Sequence, residues 1–292
     1  MSLTNILTGN NQIIREIRFL RPAIGAIIRG NVRPLIGYFS YLSLEKNIKA
    51  KLLERYAGDF ETLSTVLYYC GFYSRSQLLS LLALEKPIIV EFPDMCKLYI
   101  RHLIDFACGG LYYELETFKF IMKQIKKCKV FVDVGANIGG YSIRTAKYCK
   151  VYAIEPLPRN YKILKINEKL NNVKINSFNI AAGNKNGKVK LYYTPRKWDE
   201  PSIKQEQNYF VEVEMKPLDE IINEESIDLM KIDVEGAEDL VLEGARNCLR
   251  RTKMLIIEYH KHSIFNVYKI LKEEGFSYKK ILDNNILFTK SV

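Results

Sequence analysis

The stretch at 130–140, V-F-V-D-V-G-A-N-I-G-G, constrains this chain more than any other. Val130, Phe131, Val132 and Val134 around Asp133 form a short apolar, β-branched run, the pattern of a strand buried on both faces of a parallel sheet. Gly135 ends it. Gly135, Gly139 and Gly140 allow a sharp turn and a close backbone approach, and 141–148, Y-S-I-R-T-A-K-Y, resumes helical spacing. Strand, glycine turn and helix together predict free backbone N–H groups beside a nucleotide-like ligand.

Downstream, strand and helix alternate. Residues 151–154 read as a second buried strand, 159–170 as a helix, 173–180 as a third strand and 229–234 as a fourth, followed by a helix over 238–249. A fifth strand at 254–258, a helix at 263–274 and a hairpin pairing 277–281 with 286–289 close the chain. This alternation predicts an α/β architecture, a parallel sheet with helices on both faces and an antiparallel final strand. Segments 188–193 and 211–215 are read as added strands or as a cover for the pocket. Upstream, 87–92 and 97–101 look like a hairpin around Pro93 and Asp94, and residues before them read as helical. The expected division is 1–85 as a helical accessory region, 86–110 as a hairpin connector and 111–292 as the catalytic domain.

The 292 residues, 48% of them apolar, suffice for a full core plus an accessory region. A formal net charge of +11 favours acidic partners: nucleic acid, an anionic membrane surface or phosphorylated substrates. The six cysteines include no C-x-x-C pair, so neither a zinc cluster nor a disulfide scaffold is indicated. The opening residues are polar, unlike a secretory leader, and a cytoplasmic location is expected. Arg15, Arg18, Arg21, Arg29, Arg33, Pro22 and Pro34 interrupt the apolar residues of 13–44. That leaves no run long enough to span a bilayer, although an arginine-rich helix lying on an anionic membrane surface is one reading of it.

Two ligand classes compete for the glycine turn. A dinucleotide turn requires G-x-G-x-x-G, and the place of its second glycine is held here by Asn137. The turn therefore suits a nucleoside without phosphate, of which S-adenosylmethionine is one. Glu155, ending the second strand, is placed to accept both ribose hydroxyl protons in either class. Asp133 stands beside the same pocket, with hydrogen bonding to the turn's amides as the alternative.

The segments 131–142, 153–158, 181–183, 217–222, 229–238 and 256–260 (F-V-D-V-G-A-N-I-G-G-Y-S, A-I-E-P-L-P, A-A-G, P-L-D-E-I-I, L-M-K-I-D-V-E-G-A-E and I-I-E-Y-H) resemble, in order and spacing, the FkbM family of S-adenosylmethionine-dependent methyltransferases. The resemblance covers about 110 to 290 and implies a class I methyltransferase fold. That is a Rossmann-like, mostly parallel seven-stranded sheet with an antiparallel last strand. It further implies that Gly135, Ala136, Asn137 and Gly139 line the methionine and ribose part of the donor. Glu155 would meet the ribose hydroxyls, 179–182, with Asn179 and Ala181, would flank adenine, and Asp233 would face the donor methyl. Family members mostly methylate hydroxyl oxygens of sugars and secondary metabolites.

Methyl transfer to an alcohol is an in-line displacement that needs a proton acceptor. Asp233 or Glu235, at the end of the fourth strand, is the expected base, with His260 at the end of the fifth as second candidate. Glu238 reads either as part of the site or as an acid at a helix N-terminus. Lys231 interrupts an apolar strand and invites pairing with an acid. No metal ligand is assigned, although Asp233, Glu235, Glu258 and His260 at adjoining strand ends permit a divalent cation. The expected acceptor is a small molecule or glycan. RNA ribose hydroxyls are the alternative, with Tyr38, Phe39, Tyr41, Tyr68, Tyr69 and Tyr73 available to stack on bases; a non-catalytic cofactor-binding subunit is a third reading.

Overall fold

A computed structural model describes residues 87–92, 94–101, 103–110, 114–194, 197–204, 209–260 and 263–290. The helical reading of 1–85, its membrane-surface helix and its tyrosines lie outside the described residues. The chain divides into two compact units, residues 1–88 with 100–107 and residues 89–99 with 108–292; the second carries the site.

The described chain opens with β1 (Ile88–Glu91), β2 (Lys97–Ile100), α1 (Leu103–Gly110), α2 (Leu115–Ile125), β3 (Val130–Val134), α3 (Gly140–Thr145), β4 (Lys150–Ile154), α4 (Pro158–Leu170), β5 (Asn176–Phe178) and β6 (Ala181–Ala182). It continues through β7 (Gly187–Thr194), β8 (Lys197–Ser202), β9 (Tyr209–Lys216), α5 (Leu218–Ile221), β10 (Ile227–Ile232), α6 (Glu238–Glu243), α7 (Arg246–Arg251), β11 (Thr252–Glu258), α8 (Ile264–Glu273), β12 (Phe276–Leu282) and β13 (Asn285–Lys290).

Seven strands form the central sheet in the order β12-β13-β11-β10-β3-β4-β5. β3 runs parallel to β4 and β10, β10 to β11 and β4 to β5, while β13 is antiparallel to β11 and β12. This is the Rossmann-like class I methyltransferase sheet expected from the sequence. β3 and β10 occupy its centre because every residue of each is buried, which only a strand covered on both faces requires. Val132, Val134, Met230, Ile232, Leu255 and Ile257 share one core with Val241 and Leu242 of α6 and Val267 and Leu271 of α8. That packing aligns the carboxyl ends of β3, β4, β10 and β11, where open parallel sheets bind ligands.

Two expectations, the third strand and the helix over 238–249, are corrected, and the added strands expected at 188–193 and 211–215 are present. The third strand covers only Asn176–Phe178, because Ala181–Ala182 leaves the central sheet to pair with β9. The insertion at 188–215 forms a second sheet, ordered β6-β9-β7-β8, over a small core of Leu157, Ala181, Leu191, Val213 and Met215. The single helix over 238–249 is two, α6 and α7, broken at Gly244 and Ala245. A Cβ at Gly244 would stand 1.9 Å from the Gly183 carbonyl oxygen, and the Asp219 carboxylate accepts the Asn247 and Cys248 amides that start the second helix. No described helix is long and apolar enough to cross a membrane.

Candidate active site

The glycine turn expected beside the donor follows β3. Gly135 and Gly139 have φ of 86° and 91°, and Asn137 has φ of 50°, a left-handed conformation that asparagine tolerates better than most residues. At Gly135 the positive φ coincides with a close approach: a Cβ there would stand 1.7 Å from the Asp233 carbonyl oxygen. The turn after β3 and the end of β10 are thereby pressed together.

The expectation of free amides in this turn is not met. Gly135 and Ala136 donate to the Ile154 carbonyl at 2.9 and 3.0 Å, Gly139 donates to Ala136 at 2.8 Å, and Asn137 donates to Glu155 Oε2 at 2.8 Å. Four of the amides that a phosphate would use are engaged within the protein. The turn therefore offers a shape and a carboxylate in place of an anion nest. Glu155 is held at both oxygens, since Leu157 N donates to Oε1 at 2.9 Å. Asn179 Nδ2 donates to the Glu155 and Pro156 carbonyls at 2.8 and 2.9 Å, so its amide clamps the segment carrying Glu155. The Ala181 methyl lies in the small core of the second sheet.

Asp133, 2% exposed at the centre of β3, accepts a hydrogen bond from the Ser142 hydroxyl. Burial pushes its carboxyl up to about 6, against the opposing pull of Lys231 and of that hydroxyl. Lys231 stands opposite Asp133 in the β3–β10 register. Its ammonium lies 2.7 Å from Asp233 Oδ2, 3.6 Å from Glu114 Oε2 and 5.0 Å from the Tyr141 ring centre. Burial alone would discharge it, but Asp233, Glu114 and Asp133 hold it charged and raise its pKa. Burial also works against ionisation of Asp233, yet Lys231 keeps that carboxylate below its ordinary range.

Sequence reasoning missed Glu114. It accepts from Tyr141 Oη at 2.8 Å and from Asn285 Nδ2 at 2.7 Å, joining the segment before α2 to the start of β13 and to α3. An acid just before an amphipathic helix is indistinguishable in sequence from an ordinary residue at a helix N-terminus, so no local signal singled it out.

The carboxyl ends of β10 and β11 gather Asp233, Glu235, Glu258 and His260. Glu235 has φ of 52° and is followed by Gly236 at 95°, a contorted turn steadied by the Ser202 hydroxyl, which donates to the Glu235 carbonyl at 2.9 Å. His260 Nε2 lies 3.7 Å from Glu235 Oε2 and 3.6 Å from Glu258 Oε2, while its Nδ1 lies 3.2 Å from Glu238 Oε1. Glu238 is fully buried, accepting from Gly236 N at 2.9 Å and from the Ser263 hydroxyl at 2.8 Å. Both readings of Glu238 have contacts behind them: it opens α6 and accepts the Gly236 amide, and it faces His260. Glu235 and Glu238 raise His260 to about 10, which makes it an imidazolium at neutral pH. Burial, together with the neighbouring charges of Asp233 and Glu235, pushes Glu258 up to about 11. Adjacent carboxyls are thus driven apart, Asp233 ionised and Glu258 protonated, the division found where one group must accept a proton.

The sequence profile of the methyltransferase FkbM domain matches residues 133–278. The 2-O-methyltransferase NoeI of Sinorhizobium fredii is 27% identical over 47% of this chain and 65% of its own length. The methyltransferase sdnD of Sordaria araneosa is 30% identical over 39% of this chain and 59% of its own length, so this chain spans less than two thirds of either relative. A crystal structure of an FkbM methyltransferase from Methylobacillus flagellatus aligns with a TM-score of 0.43 at 19% identity, covering 83% of this chain and 58% of that one. With half of its residues inside the matched domain, the chain belongs to the FkbM methyltransferase family.

Proposed function

We propose that this chain transfers a methyl group from S-adenosylmethionine to a hydroxyl oxygen of a sugar, glycan or related metabolite. The observation that carries the reading is the contact between Gly135 and Asp233, which joins the donor turn to a carboxylate kept ionised by Lys231. The turn suits a nucleoside without phosphate, since its amides are engaged within the protein, and the Glu155 carboxylate beside it supports an acceptor for ribose hydroxyls. Family membership and the 2-O-methyltransferase name of one relative support an oxygen acceptor.

When bound, S-adenosylmethionine supplies an electrophilic methyl on a sulfonium sulfur. Gly135, Ala136, Asn137 and Gly139 with Glu155 hold it, Asn179 steadies the segment carrying Glu155, and residues 179–182 flank the base. Asp233 takes the acceptor's proton, with Glu235 as the neighbouring alternative. His260, charged at neutral pH, is better suited to orient an acceptor than to accept its proton. The RNA alternative drew on tyrosines that lie outside the described residues, and no described contact favours it.

The test is transfer of tritiated methyl from S-adenosylmethionine into a cell extract, with separate nuclease and glycosidase treatments. Label released by glycosidase is the expected result. Label released by nuclease, or none transferred, overturns the assignment.

A further inference from the structure

We infer that Glu235, Glu258 and His260 form a divalent metal site of the Mn²⁺ type at the acceptor side of the pocket. One donor atom from each lies within 4.8 Å of the others, drawn from the turn after β10 and the end of β11. His260 Nε2 stands 3.7 Å from Glu235 Oε2 and 3.6 Å from Glu258 Oε2. Ligands about 2.1 Å from one ion sit about 3.0–3.5 Å apart in octahedral or tetrahedral arrangements, so a small inward movement completes the set.

Two further observations point to a cation and are independent of that spacing. Glu258 Oε2 is shielded from solvent and has no hydrogen-bond donor among the described residues. That oxygen keeps a lone pair that a cation can take. The other ring nitrogen of His260, Nδ1, faces Glu238 Oε1 at 3.2 Å, and Glu238 is itself anchored by Gly236 N and Ser263. A carboxylate behind the second nitrogen is the outer shell that metal-bound histidines have, where it fixes the ring and its tautomer.

Two carboxylates and one imidazole suit Mn²⁺, which accepts oxygen and nitrogen ligands alike, better than Mg²⁺, which favours oxygen and water. An ion there takes an acceptor hydroxyl oxygen as a further ligand and lowers its pKa, beside Asp233. The inference deepens the proposed reading of this site, but its test needs neither donor nor acceptor, so the two fail separately.

The experiment strips the full chain with EDTA, desalts it and titrates MnCl₂, following free Mn²⁺ by electron paramagnetic resonance. One saturable site is expected. Glu258→Gln and His260→Ala should abolish it, and Glu238→Gln should weaken it roughly 10–100-fold, as loss of an outer-shell partner does. Circular dichroism verifies the fold of each variant. Absence of saturable Mn²⁺ binding by the wild-type chain at millimolar ion overturns the inference whatever the variants do. So does wild-type affinity in folded Glu258→Gln or His260→Ala protein.

Discussion

The Lys231 ammonium lies 2.7 Å from the carboxylate of Asp233, two residues further along at the end of β10, and both sit among further acids from β3 and the segment before α2. Asp233 is the predicted proton acceptor. Asp233→Asn should lower turnover roughly 10²–10⁴-fold while donor binding, measured by calorimetry, stays near wild type. Lys231→Met should lose turnover too and also destabilise the chain by about 3–5 kcal/mol at neutral pH, since it strands buried carboxylates. Urea titration measures the second effect. The Asp233 carboxyl lies below its ordinary range in the fold, so the pair's contribution is present above that range and disappears as pH falls through the folded value.

Asp133 gives the opposite pH dependence. Its folded value of about 6 lies above the ordinary 3.8, so the native state holds the proton more tightly than the unfolded chain. The resulting stability is present below pH 3.8 and is lost as pH rises through about 6. Asp133→Asn keeps an acceptor for Ser142 and removes that loss. Melting temperatures of both proteins across this window should separate in favour of the variant as pH rises; a constant gap would remove Asp133 as the cause.

Gly135→Ala tests the contact between the two halves of the site. The added Cβ meets the Asp233 carbonyl oxygen at 1.7 Å, at a φ of 86° that alanine disfavours. A destabilisation of roughly 1–3 kcal/mol from backbone strain alone is expected, with more from the collision. Thermal unfolding and donor calorimetry should both register it. A variant as stable as wild type with unchanged donor affinity would mean that the turn and β10 are not held together as described.

Glu155→Gln leaves one carbonyl oxygen where two carboxylate oxygens accept Asn137 N and Leu157 N. Hydrogen bonds to a charged group are worth about 1.5–3 kcal/mol, so S-adenosylhomocysteine should bind roughly 10–100-fold more weakly. Calorimetry decides it. Equal affinity in the two proteins would take Glu155 out of the donor site.

Much of the fold was legible because its signals are local. The apolar run at 130–134, the glycines at 135 and 139 and the alternation of strand and helix to the closing hairpin each depend on residues a few positions apart. β8, K-W-D-E-P-S, has neither alternation nor β-branched residues and carries a proline, so its pairing with β7 left no pattern to read. The break between α6 and α7 was hidden because its causes, the Gly183 carbonyl and the Asp219 carboxylate, come from distant segments.

The candidate site divides the same way. Asp233, Glu235 and His260 could be named from their positions at strand ends, and Glu155 from the strand before it. Which of them is ionised could not, because protonation follows from charges brought together across the fold. Lys231 meets acids from three segments, His260 meets acids from the β10–α6 connection, the start of α6 and the end of β11, and Glu258 is neutral because burial and the charges of Asp233 and Glu235 oppose its ionisation. Burial patterns and backbone conformation are written along the chain, and they determined the sheet and its glycine turn, while the family was read from the resemblance of six motif segments. Coulomb interactions act through space, so only the tertiary structure decided which carboxylate holds its proton and which stands ready to take one.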